Sequence, residues 1–199
     1  VVIGVSVSDA PERDIVSTTS SQPVDKSRAV VVHAIATGFD GQPTAAAESL
    51  TVDFHGADSE AVRNTALVQA IVNVLLMIKW EYWRGTGAHL AGVGIMIGGQ
   101  VHDHRVVHHS PNIGLDQSLD LPALIAKEVD ARRRRTNSNE ETLGYALTQL
   151  ASAPTLVEND ADAHARYRAW FGDAQQGQDT PMRSVLILIK TDGLGGSIT

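Results

Sequence analysis

The first helical repeat in this chain begins only near Glu60, and everything ahead of it is β-prone or turn-like. Val1 to Val7 is a short apolar run, Ala29 to Ala36 is rich in β-branched residues, and Ser49 to Phe54 alternates apolar and polar side chains. Each pattern suits a strand with at least one buried face. Gly38-Phe39-Asp40-Gly41 supplies turn chemistry between the second and third strands. Residues 8–27, rich in Ser, Thr, Asp and Pro, read as a polar loop between the first and second. A chain that opens this way starts its sheet as an antiparallel meander.

Behind the meander, helices and strands alternate. Asp58-Ser59-Glu60 is a helix start with a short polar side chain available for capping. The helix is expected to run to about Trp83, apolar at Leu67, Ile71, Val74, Leu75 and Ile78, and to end at Gly85 and Gly87. Leu90 to Ile97 reads as a buried strand entering Gly98-Gly99. Helices follow at Leu121 to Arg134 and Glu140 to Ala151, then a strand at Thr155 to Val157 and a helix at Asn159 to Phe171. Ser184 to Lys190 is the last strand, and Gly193 to Gly196 a tight turn. This order predicts one α/β domain with a mixed sheet, the meander continued by parallel strands, and helices on both faces.

Composition narrows the function classes. The 199 residues carry a net charge of −7, which argues against this segment being a nucleic-acid-binding surface itself. There are no cysteines, which removes disulfides and thiolate metal sites and favours the cytoplasm. The apolar stretch from Ala66 to Tyr82 contains Gln69, Asn73, Lys79 and Glu81, and is too short and too polar to span a bilayer. The chain lacks an initial Met and stops inside what reads as a hairpin, so a segment of a longer protein is expected.

Thr155 to Ala163 carries the strongest chemical signal. A strand runs into Glu158-Asn159-Asp160 and then into a helix. Polar groups at a strand's carboxyl end beside a helix N-terminus stand where open α/β sheets bind ligands. A carboxylate there can take a proton from a hydroxyl, and an Asn beside it can orient that hydroxyl. The plainer alternative is that Asn159 and Asp160 only cap the helix.

The same segment resembles the ROK family of sugar kinases and sugar-responsive repressors, built on the actin-like ATPase (ribonuclease H-like) fold. The family motif E-N-D-A-N-A-x-A is similar to Glu158-Asn159-Asp160-Ala161-Asp162-Ala163-His164-Ala165. Its W-F-G-x-x-x-G is similar to Trp170-Phe171-Gly172 with Gly177. A strand at Val185 to Ile189 and the glycine-rich Asp192-Gly193-Leu194-Gly195-Gly196 follow in the family's order. Upstream, Gly92 to Val101 resembles G-V-G-I-G-I-P-G-x-V, Ser110-Pro111-Asn112-Ile113 resembles its P-N-L segment, and Leu119-Asp120-Leu121 its V-D-L helix start. Phe39-Asp40-Gly41 stands at its D-x-x-G turn.

The resemblance implies Asp160 as the general base and Asn159 and Glu158 as sugar contacts, with Asn112 and Gly98-Gly99 lining the same cleft. It implies that Asp192, Gly193, Gly195 and Gly196 form a nucleotide loop. It further implies one domain over residues 1–199, the first half of a longer ROK domain, with insertions at 8–28 and 130–153. A homodimer and a cytoplasmic location go with it, as does a zinc site beyond Thr199.

The nucleotide side departs from the pattern. The family's first strand ends in D-x-G-G-T, and here Ser6 stands at the Asp position and Ser8 at the first Gly. A phosphate cradle needs close backbone approach and free N–H groups. The family's G-T-G is Thr191-Asp192-Gly193, which places a carboxylate where ATP's charge would lie. Like charges about 4 Å apart repel by about 1 kcal/mol in water and about 4 kcal/mol near a protein surface. Asp162 and His102 replace a further Asn and Asp of the pattern.

His102, Asp103, His104, His108 and His109 form the richest histidine cluster. On a strand, His102 and His104 would share a face, but no third ligand is in place, so a solvated hairpin is favoured over a metal site. Arg132 to Arg135 end a helix, where cations suit the dipole; contact with an acidic partner or nucleic acid is the sharper alternative.

Three functions fit. The favoured one is the sugar-sensing effector domain of a transcriptional regulator, without kinase activity. It would take a sugar or sugar phosphate and reach DNA only through a domain outside this chain. The second is a sugar kinase using Mg-ATP on a hexose or N-acetylhexosamine, the one reading that calls for a cofactor. The third is a non-catalytic module kept for assembly.

Overall fold

The computed structural model describes residues 1–9, 28–38, 44, 47–54, 59–137, 140–171, 186–190 and 194–198. The expected meander forms from β1 (Val2–Asp9), β2 (Arg28–Thr37) and β3 (Glu48–Phe54). β2 pairs antiparallel with both neighbours, with Val5 opposite Ala34 and Val31 opposite Thr51. Phe39 to Gly41 of the expected turn and most of the 8–27 loop lie outside the described residues, while Ser8 and Asp9 belong to β1.

β4 (Gly92–Ile97) then joins β1 in parallel, and β8 (Thr155–Asn159) joins β4 in parallel. The sheet order is β3-β2-β1-β4-β8, a mixed sheet in an α/β fold. Strand alternation sorts the side chains. Ile3, Val5, Val7, Val30, Val32, Val93, Ile95, Ile97 and Val157 face one buried side.

Four helices complete that core: α1 (Glu60–Met77), α2 (Trp80–Thr86), α3 (Leu121–Arg135) and α4 (Glu141–Ser152). Ser59 caps α1 by accepting from the Val62 N–H at 3.4 Å, and Asp120 caps α3 by accepting from Ala123 at 3.1 Å. Leu67, Ile71, Val74 and Leu75 form the buried stripe of α1. On the sheet's other face, Gly4, Ser6, Ile35 and Met96 are half-buried, and His33 and Leu156 are exposed. Helices α1 to α4 gather on the one buried face.

A second correction concerns the helix expected to run from Ser59 to Trp83. It breaks at Ile78, whose backbone is extended, and restarts at Trp80. At about 100° per residue, Trp80 on an unbroken helix would point about 180° away from Ile71. The break turns both Trp80 and Trp83 into the core. There they pack edge to face at 5.0 Å, and Trp80 Nε1 donates to the Leu75 carbonyl at 2.9 Å. Gly87, at φ 68°, closes α2 with its N–H on the Trp83 carbonyl.

Between β4 and α3 lies a small antiparallel sheet of β5 (Gln100–His102), β6 (Val106–His109) and β7 (Leu119–Asp120). The β5–β6 turn places Asp103 and His104 at φ 53° each. Its His104 carbonyl accepts the Val157 N–H of β8 at 2.8 Å. Helix α5 (Asp160–Phe171) follows β8, and β9 (Leu186–Lys190) pairs with β10 (Leu194–Ile198) in a hairpin. The tight turn expected at Gly193 to Gly196 is not found at its last three positions. Leu194 to Gly196 belong to β10, with Gly195 opposite Ile189 and Gly196 opposite Leu188. Among the described residues no single helix is long and apolar enough to cross a membrane.

Candidate functional site

The parallel strands β4 and β8 end side by side, with Ile97 paired to Asn159. The chain leaves β4 through Gly98-Gly99, and the second of these has no substitute. Gly99 adopts φ 127°, and a Cβ there would lie 2.2 Å from the His109 carbonyl oxygen and 2.9 Å from Ser110 Cα. The turn is pressed against the end of β6 as tightly as a backbone allows.

Ser110, fully buried, holds that contact from the other side by donating its hydroxyl to the Gly98 carbonyl. Its backbone N–H and carbonyl both bond Leu115, at 2.9 and 3.0 Å. These bonds close residues 110–115 around a 3-10 turn, Pro111–Ile113, which carries Asn112; the Asn112 side chain lies outside the described residues. Gly114 at φ 68° ends the turn.

Asn159 ties this assembly to β8. Its Nδ2 donates to the Gly99 carbonyl at 2.6 Å, and its Oδ1 accepts from the N–H groups of Ala161 at 2.9 Å and Asp162 at 3.2 Å. The carboxamide thus starts α5 and fixes the glycine turn at once. Asp160 is exposed, and its Oδ1 also accepts from Ala161 N–H, at 2.9 Å.

Gly98, Gly99, Asn159, Asp160 and the turn bearing Asn112 therefore come together at the carboxyl edge of parallel strands. Glu158, expected beside them as a sugar contact, is engaged elsewhere: its Oε1 lies 3.1 Å from Arg166 and 3.6 Å from His104. On the nucleotide side, Gly195 and Gly196 sit in the β9–β10 ladder, while Asp192 and Gly193 lie outside the described residues. Ser6, Ser8 and Asp9, where a first phosphate loop was sought, continue β1 and pair with His33, Val31 and Val30 of β2.

The histidines do not share a strand face as expected. β5 ends at His102, and His104 belongs to the turn. His102 packs edge-on against His108 at 4.6 Å, His108 Nδ1 lies 2.7 Å from Ser118 Oγ, and His109 faces Asp116 at 3.7 Å. Among the described residues no group of three or more His, Asp or Glu side chains could hold a metal ion.

Glu60 and Asp120 do more than start their helices. Glu60 accepts the N–H groups of Asp116 and Gln117, at 3.1 and 2.5 Å, and so pins the loop after the 3-10 turn to the start of α1. Asp120 accepts from Arg105 Nε at 2.8 Å as well as capping α3. Burial opposes its charge, yet the Arg105 guanidinium and the Ala123 N–H hold the carboxyl below the ordinary carboxylate range. Only the cap had a local signal, a short acidic side chain ahead of Pro122.

No protein-family model matches the chain, and no curated protein matches it either.

Proposed function

We propose that this chain is a sugar-sensing effector domain of the kind found in ROK-type transcriptional regulators, on an actin-like arrangement of its sheet, and that it does not transfer phosphate. One observation carries the reading: Gly98-Gly99, the Asn112 turn and Asn159-Asp160 meet at the carboxyl edge of β4 and β8. Open α/β sheets bind ligands at that edge. The order β3-β2-β1-β4-β8, antiparallel and then parallel, supports the actin-like assignment.

The kinase alternative draws on the exposed carboxylate of Asp160, placed to accept a proton from a hydroxyl. A base alone contributes about 10²–10⁴-fold. Phosphoryl transfer depends more on positioning and on charge neutralisation around the transferred group. The backbone of Ser6 to Asp9 is committed to pairing with β2, which leaves that stretch unsuited to cradling phosphates.

Calorimetric titration of the intact protein with hexoses and N-acetylhexosamines, with and without Mg-ATP, tests the reading. The expected result is binding of at least one sugar independent of Mg-ATP, with no ADP release. Failure of every sugar to bind sinks the sensor reading, and turnover near about 1 s⁻¹ restores the kinase.

A further inference from the structure

Four of the chain's eight histidines, His102, His104, His108 and His109, lie on the β5–β6 hairpin, and the candidate site leaves their side chains unused. His104 Nδ1 lies 3.6 Å from Glu158 Oε1 of β8, a carboxylate that Arg166 Nη2 of α5 also approaches at 3.1 Å. His109 Nδ1 lies 3.7 Å from Asp116 Oδ1, in the loop whose N–H groups Glu60 of α1 holds. His102 and His108 face each other across β5 and β6 with ring centres 4.6 Å apart, and His108 Nδ1 lies 2.7 Å from the Ser118 hydroxyl oxygen. The hairpin's remaining charges are Asp103 and Arg105, and Asp120 engages Arg105. The backbone ties these pairs to the candidate site. The His104 carbonyl holds the Val157 N–H of β8, the His109 carbonyl packs against Gly99, and Ser110 comes next in the chain.

We infer that the β5–β6 hairpin is a proton-operated clamp, drawn by mild acid onto β8 through His104 and onto the 110–117 loop through His109. Imidazole is the side chain that gains its charge between about pH 8 and about pH 5. Charging His104 and His109 turns two contacts with carboxylates into ion pairs, each joining the hairpin to a different neighbour. A contact that favours the charged imidazole is fully present on the acid side and is lost as pH rises. Both pairs are partly exposed, and Arg166 already offsets part of the Glu158 charge, so each increment is small. His102 and His108 oppose the effect, because two charged rings 4.6 Å apart repel. That repulsion is avoided while one ring of the pair stays neutral, whereas nothing comparable hinders His104 or His109. The attractive contacts therefore set the direction.

Amide hydrogen exchange on the intact protein tests the clamp, at about pH 7.5 and about pH 6.0 with intrinsic rates corrected. Val157 N–H reads the His104 side, and Val93 N–H, on the Pro154 carbonyl at the far end of the paired strands, is the control. Protection of Val157 should rise about threefold on acidification, the scale of an exposed ion pair, with Val93 unchanged. His104→Asn should remove that rise, and Glu158→Gln, which deletes the anion and keeps the size, should do the same. His109→Asn should remove the matching rise at Ser110, whose N–H bonds the Leu115 carbonyl, and leave Val157 as in wild type. No rise at Val157, an equal rise at Val93, or a rise that survives both His104→Asn and Glu158→Gln overturns the proposal. A fall at Val157 overturns it too, because the His102–His108 repulsion would then govern the hairpin.

Discussion

Asn159 Nδ2 lies 2.6 Å from the carbonyl oxygen of Gly99, so one side chain joins the end of β8 to the turn that leaves β4. Removing it breaks two functions together. Asn159→Ala should cost about 1–3 kcal/mol in urea unfolding, the sum of a lost cap and an unpaired carbonyl. Asn159→Asp keeps the cap acceptor and loses the donor, so it should fall between wild type and Ala. Both should weaken any sugar that binds by about tenfold or more. An Ala variant as stable as wild type would show that the three bonds contribute nothing.

The glycines of β4 and its turn should respond in opposite ways. Gly99→Ala forces a Cβ to within 2.2 Å of the His109 carbonyl at φ 127°, and a loss above about 2 kcal/mol is expected. At Gly94 a Cβ meets nothing within 4 Å. Gly94→Ala should therefore be neutral or gain up to about 1 kcal/mol, since strand glycine is entropically costly. Thermal unfolding of the pair reads both.

Trp80 should be the most sensitive position near the helix break. Trp80→Ala is expected to cost about 3–5 kcal/mol, as for other large-to-small core changes. Trp80→Phe retains most of the apolar volume but leaves the Leu75 carbonyl without the indole N–H, and should cost about 1–3 kcal/mol. If Phe and Ala behave alike, the hydrogen bond outweighs the packing.

The acid limb of stability should carry a contribution from Asp120. Its folded carboxyl titrates below the ordinary value, so the Arg105 contact contributes fully above the unfolded value of about 3.9. That contribution disappears as pH falls through the lower folded value. The group is well exposed, so the increment should stay below about 1 kcal/mol. Asp120→Asn preserves the cap and removes the charge. Its stability curve should lie under that of wild type at pH 7 and converge on it as pH falls through the lowered folded value.

Much of this architecture follows from local pattern. Ser59 and Asp120 start their helices with short polar side chains, and the alternation in β1, β3 and β4 fixes which face is buried. The unread parts depend on distant partners. Nothing near Ile78 signals a break, because the cause is a requirement that Trp80 and Trp83 face the same core. Nothing near Glu158 signals its turn toward Arg166 and His104, which lie eight residues on, in a helix, and more than fifty residues back, in a hairpin. At the candidate site, Gly99 and Asn159 were legible as types. That Ser110 and Glu60 brace the surrounding loops became apparent only once β6 and α1 were set against them.

The bond from Val157 N–H to the His104 carbonyl bears on how this protein meets other chains. β8 is the last strand of its sheet, and an unpaired terminal strand offers its backbone to any extended segment that drifts past. Here the hairpin turn already occupies that rim, with His104 and Glu158 alongside as polar guards. Fibre-like stacking or strand exchange through β8 would first have to peel the turn away. The same two-residue kink that looks uneconomical as a turn thus serves as a stopper on the open side of the sheet.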